Sequence, residues 1–220
     1  MDKIELPQVT LIALTSIKIP ETIHAMEISM RGIDFGDVVL VTDKDFYHAK
    51  IRHDMCPPMN DINAYNEYCF LHLGEHVKTS HALVVQYDSW ILRPQCWEDH
   101  FLDFSYIGAP WPVVENSYMA NNGERSRVGN GGFSLRSAEL MRMPSRKGWP
   151  LRQEQGYFNE DGNICSYYRK EFLEQGIKYA PVEVAARFSY ENEVLENQGV
   201  STFGFHKNLR VSWYGEVPLK

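Results

Sequence analysis

The sequence predicts an α/β domain that opens with a parallel βαβ unit. Three observations carry this. Residues 9–14 and 37–43 are short apolar, β-branched runs with polar ends, the pattern of strands buried on both faces. Between them Ile23, Met26 and Met30 recur at helical spacing behind Pro20, which suits a first helical turn because its missing N–H is not needed there. Strand, helix, strand in that order is a parallel βαβ unit. Finally, residues 82–85 form another buried strand, and it runs straight into Gln86-Tyr87-Asp88-Ser89-Trp90. A carboxylate at the end of a core strand lies where open α/β sheets bind ligands.

The remaining elements follow in order. Residues 44–61 read as irregular, broken by Pro57-Pro58. Asp61 caps a helix whose inner face carries Ile62, Tyr65, Cys69 and Leu73. On the next strand Gln86 and Asp88, at i and i+2, point to the same side. The first 95 residues or so thus read as a nucleotide-binding half. Tyr106-Ile107-Gly108-Ala109-Pro110-Trp111 is a short strand entering a rigid turn, and residues 115–128 read as a mobile surface loop. Gly129-Asn130-Gly131-Gly132 precedes a strand at 133–135 and a helix from about Ser137. Asn159-Glu160-Asp161-Gly162 opens a further helix, with Ile164, Tyr168 and Phe172 inside and Gly176 at its end. Extended chain resumes at 179–181, and the tail carries Phe203-Gly204-Phe205-His206.

Length and composition bound the function. The 220 residues suit one domain, without internal repeats or low-complexity tracts. Charged residues are 23% and the hydrophobic set 44%, ordinary for a soluble globular protein. A net charge of −7 with no basic stripe argues against a nucleic-acid partner. A nucleotide remains compatible, because a metal or a few local cations neutralise a diphosphate. The four cysteines, Cys56, Cys69, Cys96 and Cys165, form no close pair and read as reduced, mostly buried thiols of a cytoplasmic protein. No apolar secretion segment opens the sequence, and no apolar run reaches the ~20 residues of a membrane span. Peripheral contact with a membrane beside a lipid-linked substrate stays open.

Several side chains bear chemistry. Asp88 suits a hard divalent cation carrying phosphate oxygens, or else caps a turn. Three glycines in Gly129–132 let backbone N–H groups approach sugar hydroxyls or phosphates, or simply make a tight turn. Glu160 and Asp161 suit a helix N-terminus electrostatically, and either could be a general base for an acceptor hydroxyl. His206 is a structural histidine or a ligand, shared with a carboxylate, for a Mn²⁺-like ion. Trp111 offers an indole face to a sugar or packs in the core, whereas Trp90 reads as core. Arg187 meets a phosphate or pairs with a carboxylate. The other seven histidines fall in no ligand pattern.

In this order, Gln-Tyr-Asp-Ser-Trp, Ile-Gly-Ala-Pro-Trp, Val-Gly-Asn-Gly-Gly-Phe-Ser-Leu-Arg-Ser, Asn-Glu-Asp and Phe-Gly-Phe-His, the motifs resemble a family of small glycosyltransferase-like proteins of the GT-A type. The resemblance spans about residues 9–207 and is most specific at 86–90 and 128–137. It implies a GT-A-like (Rossmann-like) mixed sheet flanked by helices in a single domain over 1–220, with acceptor and catalytic functions in residues 96–220. It also implies sugar transfer from a nucleotide-sugar donor to a hydroxyl of a glycan or glycolipid acceptor. Gln86-Tyr87-Asp88 stands where the family has Asp-x-Asp. Asp88 matches the second acid, expected at the metal (Mn²⁺ or Mg²⁺), and Gln86 replaces the first, so weak metal affinity or partial metal dependence is expected. By the same resemblance Gly131 and Gly132 lie by the donor sugar, Asp161 is the base of an inverting transfer with Glu160 orienting the acceptor, and His206 is a late metal ligand. Thr15 and Ser16 meet the base or ribose, and Trp111 joins the donor site. Two competing readings are a non-catalytic nucleotide-sugar or glycan-binding protein on this fold, which the missing first acid favours, and a carboxylate-pair glycoside hydrolase.

Overall fold

The computed structural model describes residues 3–114, 119–153 and 159–207. The strands are β1 (Ile4–Leu14), β2 (Ile33–Thr42), β3 (Arg52–Met55), β4 (His81–Val85), β5 (Ser89–Ile91), β6 (Tyr106–Ile107), β7 (Ala109–Pro110), β8 (Val128–Gly129), β9 (Phe133–Ser137), β10 (Ser189–Tyr190) and β11 (Gly204–His206). The helices are α1 (Ile19–Ser29), α2 (Ile62–Leu71), α3 (Ala138–Lys147), α4 (Glu160–Gly162), α5 (Arg169–Glu174) and α6 (Val182–Phe188).

Six strands form the main sheet in the order β3-β2-β1-β4-β9-β6. β3, β2, β1 and β4 run parallel, and β9 enters antiparallel to both β4 and β6. The sheet is therefore mixed, with helices on both faces. Alternation along the strands explains why: Ile12, Leu14, Val39, Val41 and Val84 belong to one buried cluster with Phe70 of α2, Leu140 of α3 and Phe172 of α5. Leu11, Ala13, Leu40, Leu83 and Val85 belong to the other, with Met26 of α1 and Ala185 and Phe188 of α6. Period-2 side chains buried on both sides demand cover on both sides. The C-terminal ends of β1, β2 and β4 meet one edge of this sheet, and a second sheet, β10-β11-β5, closes over it.

Four local expectations are corrected. Residues 44–61 hold β3, an edge strand parallel to β2. Its residues Arg52, His53 and Asp54 carry no apolar alternation; Arg52 is instead fastened to Asp37 at 2.7 Å, and Asp54 accepts from His76 at 2.8 Å. Ile62 faces solvent at 63% exposure, because the Asp61 cap turns the first residue of α2 outward, while Cys69 and Leu73 are buried as expected. Residues 119–128 are a largely exposed loop whose backbone is nonetheless tied down: Met119 bridges to Arg125, the Ala120 N–H donates to Glu124 O at 2.7 Å, and Ser126 is buried with its hydroxyl on Cys165 O. Residues 115–118 of that stretch lie outside the described residues. The helix opened by Asn159 begins with one α-turn, widens into a π-turn at Asn163–Tyr167 and resumes as α5. Gly176, in the left-handed region at φ 83°, follows its end.

All four cysteines are free, and three are buried. Among the described residues no helix is long and apolar enough to cross a membrane.

Candidate functional site

β4 stops at Val85, and residues 86–89 form a turn rather than more strand. The Ser89 N–H donates to Gln86 O at 3.1 Å, the Gln86 N–H donates to Ser89 Oγ at 2.7 Å, and that hydroxyl lies 2.6 Å from Gly132 O. The expectation that the strand pleat aligns Gln86 with Asp88 is thereby corrected. They are brought together instead by a third residue. His206 sits at the end of β11, opposite Ser89, and its Nε2 lies 3.2 Å from Gln86 Oε1 and 3.6 Å from Asp88 Oδ1. Its Nδ1 lies 3.0 Å from Glu191 Oε1. The Gln86 amide is fixed from the other side, donating to Tyr65 OH at 2.7 Å.

The chemistry of this corner is compatible with a divalent cation. Asp88 Oδ1 is a buried acceptor with no hydrogen-bond partner. In the tautomer with the proton on His206 Nδ1, beside Glu191 Oε1, the Nε2 lone pair would face Asp88 and Gln86, the outer-sphere arrangement common to histidine ligands. Among the described residues no group of three or more His, Cys, Asp or Glu side chains is gathered for a metal. Asp88 and His206 would thus be the two strong protein ligands, helped by the neutral oxygen of Gln86, with phosphate and water completing the shell.

The second half of the site is built on β9. Arg136 is 1% exposed, and its Nη2 lies 2.9 Å from Glu160 Oε1 and 3.2 Å from Gly131 O, while its Nε donates to Ser134 Oγ at 2.9 Å. Glu160, itself buried, is committed to this ion pair. Asp161 is differently placed. Its Oδ2 accepts the Gly131 N–H at 3.0 Å and its Oδ1 the Gly162 N–H at 2.8 Å. Burial, and then the neighbouring Glu160 charge, push its carboxyl up to about 6, against the pull of Arg136 and the two N–H groups.

The Gly129–132 run joins the two halves. The space its missing side chains leave is filled by the protein's own groups. A Cβ on Gly129 would lie 1.9 Å from the Trp111 ring, one on Gly131 1.9 Å from Glu160 Oε1, and one on Gly132 2.2 Å from His206 Nε2. Glycine here lets the ion pair and the histidine approach the backbone that anchors Asp161. Asn130, in the left-handed region at φ 77°, tightens the run by accepting the Gly132 N–H on Oδ1 at 2.8 Å.

Thr15 and Ser16 lie where β1 ends. Thr15 Oγ1 accepts the Ile17 N–H at 3.1 Å, and Ser16 Oγ accepts the Met59 N–H at 3.2 Å, so both shape the loop. Trp111 is 8% exposed and packs in the core over Gly129. Arg187 pairs with Glu98 through two bonds of 2.7 and 3.2 Å, which settles its partner as a carboxylate. Trp90 packs edge-on against Phe205 and is half-buried rather than core. Sequence reasoning missed Arg136 and Glu191, and placed Tyr65 on the inner face of its helix without a role. A charged residue inside a strand that is otherwise buried was the available signal for Arg136; nothing marks Glu191 without the fold.

This arrangement, a mixed sheet with a carboxylate turn after its fourth strand and a second small sheet closing over it, is the GT-A-like fold. The structure of galactosyltransferase LgtC in complex with donor and acceptor sugar analogues is similar over 90% of this chain and 86% of that one, with a TM-score of 0.50 at 14% identity. A mannosyltransferase, PcManGT from Pyrobaculum calidifontis in complex with GDP-Man and Mn²⁺, gives a TM-score of 0.45 at 10% identity over 81% of this chain and 56% of that one. No curated protein matches the sequence. Residues 51–206, well over half of the chain, match the family described as "Protein of unknown function (DUF5672)", and the chain belongs to that family.

Proposed function

We propose that the protein is a glycosyltransferase that moves a sugar from a nucleotide-sugar donor to a hydroxyl of a glycan or glycolipid acceptor, with inversion. The observation that carries this is Asp161: a carboxylate raised to about 6, held by two backbone N–H groups and reached through one glycine step from the Asp88–His206 corner. A base poised near neutrality takes a proton more readily than an ordinary aspartate.

In this reading Asp161 accepts the acceptor hydroxyl's proton as that oxygen bonds to the anomeric carbon. The bond to the diphosphate oxygen breaks on the opposite face, and the nucleoside diphosphate leaves with the electron pair. Arg136 and Glu160 position the loop that orients Asp161. Gly131 and Gly132 border the donor sugar, while Thr15 and Ser16 border the base and ribose. Asp88 and His206 would hold a Mn²⁺ or Mg²⁺ ion, which would neutralise charge on the departing diphosphate. Gln86, standing in place of the first acid, would make that ion's hold weak.

The same substitution favours a second reading, a non-catalytic nucleotide-sugar binder. Incubation with UDP-, GDP- and dTDP-sugars and a glycan acceptor panel separates the two by the release of nucleoside diphosphate and a product heavier by one sugar. Loss of both on Asp161→Asn is expected. Normal transfer by Asp161→Asn, with nucleotide binding untouched in Asp88→Ala, rejects the proposal.

A further inference from the structure

Among the described residues three that are not glycine adopt the left-handed conformation, Lys18 at φ 50°, Asn130 at φ 77° and Lys207 at φ 50°. All three border the site. Asn130 belongs to the glycine run. The two lysines bracket the Gln86–Ser89 turn. Lys18 follows β1, its carbonyl accepting both the Thr22 N–H and the Thr22 hydroxyl at 2.9 Å, and its ammonium lies 3.7 Å from the centre of the Tyr87 ring. Lys207 follows β11, its N–H donating to Asp88 O at 3.2 Å. A lysine in this conformation is unfavourable by about 1 kcal/mol or more, where glycine would be free of the strain. Such residues persist where the surrounding structure holds them, and they cluster at ligand sites.

The charge balance of the site says what for. Arg136 is neutralised by Glu160, and Lys44 lies 2.7 Å from Asp43. Asp88 and Glu191 remain as carboxylates beside His206. Among the described residues, neither Lys18 nor Lys207 enters an ion pair. A diphosphate set beside these two carboxylates needs more positive charge than an ion gripped by one aspartate and one histidine supplies. We infer that Lys18 and Lys207 form a cationic clamp for the diphosphate of the nucleotide donor, with Tyr87 holding the Lys18 ammonium in place until the donor arrives. This rests on the transferase reading and deepens it. It assigns donor-diphosphate recognition partly to lysine, so binding persists without metal.

The test exploits the backbone. Lys18→Gly and Lys207→Gly remove the ammonium while relieving the left-handed strain, so neither variant is expected to unfold. Isothermal titration of UDP, GDP, dTDP and CDP, in EDTA and in Mn²⁺, identifies the nucleotide bound by the wild type. The expected result is measurable diphosphate binding in EDTA, weakened about tenfold or more by either glycine variant. The melting temperature should be unchanged or higher, the affinity for the corresponding nucleoside intact, and binding restored by Lys18→Arg. Diphosphate affinity within twofold of wild type in both glycine variants overturns the clamp and leaves the transferase reading standing. An equal loss for the bare nucleoside makes the lysines structural and also overturns it. Failure of the wild type to bind any of the four, with or without Mn²⁺, overturns the transferase reading and the clamp together.

Discussion

At the scale of single residues the site separates two neighbouring carboxylates by environment. Glu160 faces the Arg136 guanidinium at 2.9 Å, and Asp161 faces only backbone N–H groups. Burial and then the neighbouring Glu160 charge outweigh the pull of Arg136 and the two N–H groups on Asp161, and its carboxyl rises to about 6. Two consequences follow with definite sign. As a base, Asp161 must be ionised, so kcat/KM for transfer should climb as pH rises through about 6 and level off above it; a profile flat between pH 5 and 8 would show that Asp161 is not the titrating group. As a raised acid, it favours the folded state below its unfolded pKa and loses that contribution as pH rises through about 6. The stability of wild type relative to Asp161→Asn should accordingly fall between pH 4 and 7, by at most about 3 kcal/mol at 1.36 kcal/mol per pK unit. Denaturant titration at both pH values reads this, and an increasing wild-type advantage would contradict it. The Arg136–Glu160 pair makes a further prediction. Both members are almost fully buried, so Arg136→Met should cost about 3–5 kcal/mol by stranding the carboxylate. Arg136→Met with Glu160→Leu should cost less than the single change, and a double variant worse than the sum of the singles would mean the pair is not coupled this way.

At the scale of elements Asp161 depends on an irregular helix. α4 is a single turn, followed by a π-turn at Asn163–Tyr167, and π-turns often mark functional sites. Asn163 is fully buried and clamps this turn to the preceding chain: its Oδ1 accepts the Arg152 N–H at 2.8 Å, and its Nδ2 donates to Arg152 O at 2.9 Å and to Asn159 O at 3.1 Å. Asn163→Ala strands these groups and should destabilise by about 2–4 kcal/mol in urea unfolding. A loss below about 0.5 kcal/mol would show that the turn is held by packing alone. The sequence made some elements readable and others not, for physical reasons. β1, β2, β4, α1 and α2 carry apolar periods because they pack on the two cores. β3 escaped because it is an edge strand fastened by ion pairs, which leave no hydrophobic period. The 119–128 stretch escaped because its order comes from a short turn and a buried serine hydroxyl on a distant carbonyl, in a segment whose composition is that of an open loop.

At the scale of the molecule, residues far apart in sequence become one site because the main sheet and the small sheet meet at the Gln86–Ser89 turn. Asp88, Glu160, Asp161, His206 and the glycine run were each legible as chemistry-bearing candidates, and the fold joins them through contacts at Gly131 and Gly132. Their division of labour was not. Two-residue and three-residue strands such as β10 and β11 carry no periodic signal, yet they deliver Glu191 and His206 to Asp88. The glycines looked like room for a ligand and turn out to admit Trp111, Glu160 and His206. In the transferase reading, with Asp88 and His206 holding the ion, metal and donor binding are separable. A nucleoside diphosphate at about 100 times its dissociation constant stabilises by roughly 2.7 kcal/mol, worth roughly 5–10 °C in a domain of this size. Mn²⁺ should enlarge the shift through Asp88 and His206. In Gly132→Ala the new Cβ would lie 2.2 Å from His206 Nε2, so the ring must move away from Asp88. That variant should keep the metal-free shift and lose the Mn²⁺ increment. An undiminished increment would place the ion elsewhere; loss of both shifts alike would make His206 a support of the whole donor pocket rather than of the ion.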